Sequence, residues 1–249
     1  MDITIYQHDI VWGDIDANRR KIEEALSDIK VGDMVVLPET FTTGFGDHMA
    51  AMAEAVEGPT LQWARRMADR HQVLMVGTWI VKEGTRCLNR MHWVYPDGHY
   101  GYYDKAHTFR VSGEYDQIGR GTERVVFEWK GWHIKPAVCY DLRFPKWLRN
   151  NDMEYDMLLV CANWPASRRE AWRTLLRARA IENLCYVVGC NRGGVDGNGG
   201  EYSGDSAVID YKGNPLCEAA KNSPIITATI DKEKLVRFRQ KWPFYLDFD

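Results

Sequence analysis

Six cysteines occur along the chain, and Cys139 has the most suggestive setting. It closes the extended run His133-Ile134-Lys135-Pro136-Ala137-Val138 and precedes Tyr140-Asp141-Leu142-Arg143-Phe144-Pro145, where a helical pattern begins. A strand, a sharp turn and a helix in that order expose a nucleophile at the strand's carboxyl end, where backbone N–H groups can face a developing oxyanion. Free cysteines are more often small buried hydrophobes, however. Cys161 also ends an apolar strand, so position alone does not choose between the two.

A thiol with an ordinary pKa near ~8.5 is mostly protonated at neutral pH, so a nucleophilic cysteine needs a base or a neighbouring cation. Glu39 follows the apolar run Val35-Val36-Leu37-Pro38, a setting in which a partly desolvated carboxylate can act as base and then acid. Lys105 follows Tyr100-Gly101-Tyr102-Tyr103-Asp104; beside a thiolate it would favour ionisation and stabilise an oxyanion. Their commoner roles are a loop-bracing glutamate and a solvated surface lysine. Spacing does not bring the three together. A Cys–His pair is the competing arrangement. His133 lies six residues before Cys139 on the same strand, roughly 20 Å away at about 3.3 Å per residue, which is too far. His92 and His107 remain open as its base.

The elements that would position these residues follow from the hydrophobic pattern. Strands are expected at Ile3–Gln7, Met34–Leu37, Val73–Val81, Cys87–Tyr95, Arg124–Trp129, His133–Cys139, Met157–Cys161, Cys185–Asn191, Ser203–Asp210 and Ile225–Ile230. Helices are expected from Asp16 to about Ile29, from Thr60 to about His71, over Phe144–Asn151 and over Ser167–Leu184. Turns at Pro96-Asp97-Gly98, Lys130-Gly131 and Lys212-Gly213-Asn214 predict hairpins, and the helix–strand alternation elsewhere predicts parallel crossovers. The result is a mixed α/β chain. The Gly-rich stretch Gly193–Gly204 reads as a surface loop, because no phosphate-binding fingerprint surrounds it.

The 249 residues read as one domain, 1–249. A formal charge of -3 gives no general pull toward nucleic acid or anionic membranes, and no stretch approaches the roughly 20 apolar residues of a membrane span. No C-x-x-C pair or zinc-spaced histidines occur, so no metal site is indicated, and no cofactor is called for. The opening MDITIYQHDI lacks the basic and apolar regions of a secretory leader, so a reducing, cytoplasmic location is expected.

Three segments, taken in order, carry a family resemblance. Leu37-Pro38-Glu39-Thr40-Phe41-Thr42-Thr43-Gly44-Phe45, Tyr103-Asp104-Lys105-Ala106-His107 and Val138-Cys139-Tyr140-Asp141-Leu142-Arg143-Phe144-Pro145 resemble the three signature blocks of the nitrilase superfamily. Gln7, Asn18, Asn163-Trp164-Pro165, Ala178–Asn183, Tyr202–Ser206 and Trp242-Pro243-Phe244 extend the likeness over nearly the whole chain. The resemblance implies a four-layer α-β-β-α sandwich and a Glu39–Lys105–Cys139 triad. Lys105 and the Tyr140 N–H would hold the oxyanion, and Glu114 would orient the lysine or the substrate. Phe45, Trp164, Arg168 and Arg173 are expected at the substrate, with Arg143 and Arg169 near the same blocks. The resemblance also implies a homodimer, with the Ser167–Leu184 helix and the C-terminal tail at the interface.

The Cys-Tyr-Asp-Leu-Arg-Phe-Pro form and the closing Lys-Trp-Pro-Phe resemble the omega-amidase subgroup. The implied reaction releases ammonia from the omega-amide of a 2-oxo dicarboxylic acid, such as 2-oxoglutaramate or 2-oxosuccinamate, through a Cys thioester. Hydrolysis of a carbamoyl-amine or aliphatic amide is the alternative within the superfamily. A non-catalytic binding protein on the same fold is the alternative from another class.

Overall fold

The central strands are near-continuous apolar runs rather than alternating ones, so each sheet has two apolar faces to cover, and the fold satisfies both. A computed structural model describes residues 1–27, 29–220 and 223–247. In the first sheet the strands lie in the order Ile225–Thr229, Asp2–Tyr6, Met34–Val36, Leu74–Glu83, Arg86–Val94, Tyr100–Asp104, with Glu54–Ala55 also paired to Leu74–Glu83. In the second the order is Pro215–Glu218, Ala207–Ile209, Tyr186–Asn191, Met157–Ala162, Trp132–Val138, Phe127–Trp129. The central strands of each sheet are parallel and the flanking ones antiparallel.

One core lies between the sheets, where Ile3, Ile5, Met34, Val36, Val76 and Met91 meet Ile134, Val138, Leu159, Val188 and Val208. A second fills the outer face of the first sheet, where Ile22 and Leu26 of the Ile15–Ser27 helix and Leu61, Ala64 and Met67 of the Pro59–His71 helix cover Val35, Met75 and Val81. A third packs Trp172, Leu176 and Ala180 of the Arg169–Asn183 helix onto Leu158, Val160 and Val187. Helix, sheet, sheet and helix are the four layers expected from the sequence. Each fully buried Leu, Ile or Val contributes roughly 1.5–3 kcal/mol, so these three interiors dominate stability.

Local signals stop the helices where they should. Pro59 opens the second helix, the Glu54 carboxylate accepts from the Thr60 N–H at 2.7 Å, and Gln72 ends it in the left-handed region at φ 54°. Leu184 ends the Arg169–Asn183 helix in the same way at φ 48°.

Several expectations need correction. The strand expected over Ser203–Asp210 is broken into Glu201–Ser203 and Ala207–Ile209, because Gly204 and Asp205 take φ of 73° and 55°, which no strand accommodates. The helix expected over Phe144–Asn151 is a short Pro145–Leu148 turn flanked by 3₁₀ turns. The helix expected to reach Ile29 is described as Ile15–Ser27, and Asp28 lies outside the described residues, as do the last two positions of the tail.

A C-terminal helix, Lys232–Lys241, was not expected. Its charged sequence buries only Leu235 and Arg239, one turn apart, too narrow a stripe to stand out as amphipathic. Arg239 anchors it by donating to the Leu184 and Tyr155 carbonyls at 2.9 and 2.7 Å and pairing with Asp156 at 3.1 Å.

Candidate active site

The parallel strands of both sheets end at one place, and the loops leaving them carry the polar residues. Past Met34–Val36, the chain runs alongside Leu74–Glu83 and places Glu39 against it. Past Tyr100–Asp104, Lys105 lies opposite Asn89, its N–H donating to the Asn89 carbonyl at 3.0 Å. From the second sheet come Cys139, directly after Trp132–Val138, and Asn163, directly after Met157–Ala162.

Glu39, Lys105 and Glu114 are all buried and in contact. The Lys105 ammonium donates to Glu39 Oε1 at 2.8 Å and to both oxygens of Glu114 at 2.9 Å. Glu39 Oε2 accepts from the Asn163 backbone N–H at 2.8 Å, and Glu114 Oε2 from the Phe109 N–H at 2.6 Å. Burial alone would disfavour charge on Lys105, but Glu114 and Glu39 outweigh it and hold the ammonium charged. One ammonium balances only one of the two carboxylates. Burial, with the charge of Glu39 nearby, accordingly lifts the Glu114 carboxyl above its ordinary value despite the pull of Lys105.

Cys139 is half-buried, with its Sγ 3.8 Å from the Asn163 carbonyl. Burial pushes its thiol well above the ordinary value, Glu39 adds to the rise, and Lys105 pulls the other way. The resting sulfur is therefore protonated, with a carboxylate and an ammonium both close enough to feel its charge. Cys161, the sequence's other strand-end thiol, is fully buried in the core between the sheets. Cys139 itself takes φ of 43° and Thr40 takes 41°, conformations that cost a non-glycine residue about 1–3 kcal/mol.

Asp141 secures the turn that carries Cys139. It accepts from the Val138 N–H at 2.9 Å, the Tyr103 hydroxyl at 2.8 Å and the His107 N–H at 2.9 Å. The nucleophile turn and the lysine loop thus share one carboxylate. His107 turns its ring to the same Asp141, 2.7 Å away, and stacks on Phe144 at 3.7 Å. His92 stacks on Trp79 at 3.7 Å on the helix-covered side of the first sheet, and burial holds it neutral, well below its ordinary value. The Cys139 sulfur contacts the Asn163 carbonyl, with no hydrogen bond to either histidine among the described residues.

A cavity of about 450 Å³ opens onto Cys139. Phe45, Lys105, Tyr140, Trp164 and Arg168 line it, together with Arg143. Tyr140 follows Cys139 in the first turn of the 3₁₀ segment Cys139–Arg143, where backbone N–H groups have no carbonyl of their own helix to bond. Arg143 lies over the Trp164 ring at 4.9 Å and Arg168 over Phe109 at 5.4 Å, and neither has an ion-pair partner among the described residues.

The expectation for Arg173 needs correction. It projects from the Arg169–Asn183 helix more than a turn beyond Arg168 and faces Glu218 at 3.7 Å, in a separate surface cleft. Arg169 is likewise engaged, gripping Asp205 through both Nε and Nη2.

Sequence reading missed three contributors. Asn89 and Thr78 lie mid-strand, without the strand-end signature used to find the others, and both are fully buried beneath Glu39. The Gly193–Gly204 stretch, expected as a surface loop, folds as a hairpin that gives Asn198 and Tyr202 to the cavity wall. Its turn is held by the Asp196 carboxylate, which accepts from the N–H groups of Asn198 and Gly200 at 2.9 and 2.8 Å. Gly197 lies so close to the Trp12 indole that a Cβ would stand 2.5 Å from the ring.

Residues 2–240 match the carbon-nitrogen hydrolase family. The chain is 42% identical to the omega-amidase YafV of Yersinia enterocolitica, over 100% of this chain and 97% of that one. It is 32% identical to the 2-oxoglutaramate amidase of Bacillus subtilis, over 98% and 96%. Among solved structures, XC1258 of Xanthomonas campestris, a CN-hydrolase superfamily protein with an arsenic adduct in its active site, superimposes with a TM-score of 0.96 at 44% identity, covering 100% of this chain and 97% of that one. Saccharomyces cerevisiae Nit3, of the nitrilase superfamily, shares the fold with a TM-score of 0.88 at 24% identity, over 98% and 94%. Sequence, sheet order and layer arrangement agree, and the chain belongs to the carbon-nitrogen hydrolase family, enzymes acting on non-peptide C–N bonds.

Proposed function

We propose that the protein is an omega-amidase that releases ammonia from 2-oxoglutaramate, 2-oxosuccinamate or a close homologue, with Cys139 as nucleophile, Glu39 as proton shuttle and Lys105 as oxyanion cation. The Cys139 proton passes to Glu39 as sulfur bonds to the amide carbon. Oxyanion charge falls on the Lys105 ammonium and the Tyr140 N–H. The bidentate contact of Lys105 with Glu114 leaves one N–H exchangeable for that oxyanion. Collapse breaks the C–N bond, and Glu39 returns its proton to the nitrogen, which departs as ammonia. Glu39 then takes a proton from water as it attacks the thioester, and gives it back to the Cys139 sulfur on release of the acid.

One observation supports the substrate class most directly: Arg143 and Arg168, without carboxylate partners among the described residues, line the cavity that ends at Cys139. Guanidinium groups suit the carboxylate at the far end of a 2-oxo acid amide. Among the described residues Asp47 is the one carboxylate in the wall, leaving the arginines in excess. Phe45 and Trp164 would flank the short chain between the two ends. The names of the Yersinia and Bacillus relatives point to the same chemistry. Ammonia release should be compared for 2-oxoglutaramate, 2-oxosuccinamate, simple aliphatic amides and carbamoylated amines. Preference for a neutral amide or a carbamoyl-amine would overturn the substrate assignment.

The same reading makes the protein a cytoplasmic homodimer. Ile181 on the Arg169–Asn183 helix and Trp242, Phe244 and Leu246 in the tail are exposed apolar side chains of the kind a partner covers. All six cysteines are free thiols, as a reducing compartment favours. Sedimentation at micromolar concentration should give twice the chain mass, and a monomer would contradict the interface.

A further inference from the structure

Behind the three proposed catalytic groups lies a chain of hydrogen bonds whose direction can be worked out link by link. The Thr40 N–H can only donate, and it donates to Thr78 Oγ1 at 2.7 Å. The Thr78 hydroxyl has a single proton, which it gives to Asn89 Oδ1 at 3.0 Å. That contact fixes the Asn89 amide with its NH2 group turned the other way. The NH2 donates to Glu39 Oε1 at 2.9 Å and Glu114 Oε1 at 3.2 Å. Thr40, Thr78, Asn89, Glu39 and Glu114 are all buried, so water does not substitute for a lost link at low cost.

The consequence falls on Glu39. Its Oε1 accepts from both Lys105 and Asn89, whereas Oε2 accepts from the Asn163 N–H. Oε2 thus retains the lone pair best able to take a proton. Asn163 also connects this oxygen to the nucleophile, since Cys139 Sγ lies against the Asn163 carbonyl. Without Asn89, Oε1 would keep Lys105 and Oε2 the Asn163 N–H, one donor each, and the difference in donor number between the two oxygens of Glu39 would be lost.

We infer that Thr78 and Asn89 form a positioning relay that occupies Glu39 Oε1 and reserves Oε2 for proton exchange with Cys139. The relay rests on the Glu39–Lys105–Cys139 reading and specifies which atom of the base works. Neither residue lines the cavity, so substrate binding is untouched and the effect falls on turnover.

Three variants test the relay, each measured for kcat, KM and thermal unfolding on the best amide substrate. Thr78→Val keeps the shape but removes the hydroxyl, leaving the buried Asn89 Oδ1 without its donor and loosening the amide that holds Glu39 Oε1. It should lose about 10- to 100-fold in kcat, the span expected of one charge-assisted hydrogen bond, with KM within about threefold. Thr78→Ser, which keeps the hydroxyl, should restore most of that loss. Asn89→Asp adds a third acid to the group formed by Glu39, Glu114, Lys105 and Cys139. It must bind a proton to regain one donor, so its pH optimum should move toward acid.

A folded Thr78→Val with kcat within twofold of wild type would overturn the relay, as would an Asn89→Asp with an unshifted pH profile. Cys139→Ala, run alongside, separates the two ideas. Full activity in that variant removes the triad on which the relay rests, whereas an inactive Cys139→Ala with an unaffected Thr78→Val removes the relay alone.

Discussion

Replacing Glu114 with glutamine preserves shape and removes a charge, and the structure permits the consequence to be worked through. Four donor contacts converge on this carboxylate: two from Lys105, one from Asn89 and one from the Phe109 N–H. A glutamine offers one acceptor oxygen and one NH2 group. With its oxygen toward Phe109, the NH2 group meets Lys105 and Asn89; with the oxygen toward Lys105 and Asn89, the NH2 group meets the Phe109 N–H. Either orientation loses two of the four contacts and leaves Glu39 as the only carboxylate on Lys105 among the described residues.

Breaking one side of a buried ion pair costs about 3–5 kcal/mol. If that cost falls mainly on the transition state, where the Lys105 position matters most, kcat should drop by about 10²–10⁴-fold. KM should change little, because Glu114 does not line the cavity. Steady-state ammonia release measures kcat and KM, and circular dichroism checks that the variant is folded. A folded Glu114→Gln enzyme with kcat within threefold of wild type would refute the reasoning, since it would show that Lys105 is held in place without this partner.

Other expectations follow from the same geometry. Since burial and Glu39 raise the Cys139 thiol, alkylation of the Cys139 peptide by iodoacetamide should rise with pH without levelling off below about pH 9. Glu39→Gln removes one of those causes while leaving Lys105 in place, so alkylation near pH 7 should be faster although ammonia release is lost; slower alkylation would reverse the sign of the argument. Arg168→Ala and Arg143→Ala should each raise KM for a carboxylate-bearing amide by about 10- to 100-fold, and much less for a neutral amide of the same length. Equal effects on both substrates would assign the arginines to packing over Phe109 and Trp164 instead.

The layered fold was legible where short apolar runs mark strands buried on both faces, as in Met34–Val36 and most of Leu74–Glu83. Cys139, Glu39 and Lys105 could be suspected because each follows such a run, but their meeting depends on register between distant segments, which no local pattern carries. The family blocks supplied that link. Arg173 was misplaced because neighbouring arginines look alike in sequence, while Arg168 ends the Ala166–Arg168 turn at the cavity and Arg173 lies on the following helix, turned toward Glu218. Asn89 and Thr78 were missed because a buried polar residue within an apolar strand looks like any other strand residue until its cross-strand neighbours are known. The hairpin bearing Tyr202 was hidden by its glycines, which signal turns without saying what the turn covers.

The central claim is that Cys139 attacks the amide of a small omega-amide. Ammonia release from 2-oxoglutaramate by wild type and by Cys139→Ala, with both proteins confirmed folded, tests it most directly. The account predicts turnover by wild type and a kcat at least about 10³-fold lower for Cys139→Ala, as expected when a covalent nucleophile is removed. Turnover by Cys139→Ala at the wild-type rate would contradict it.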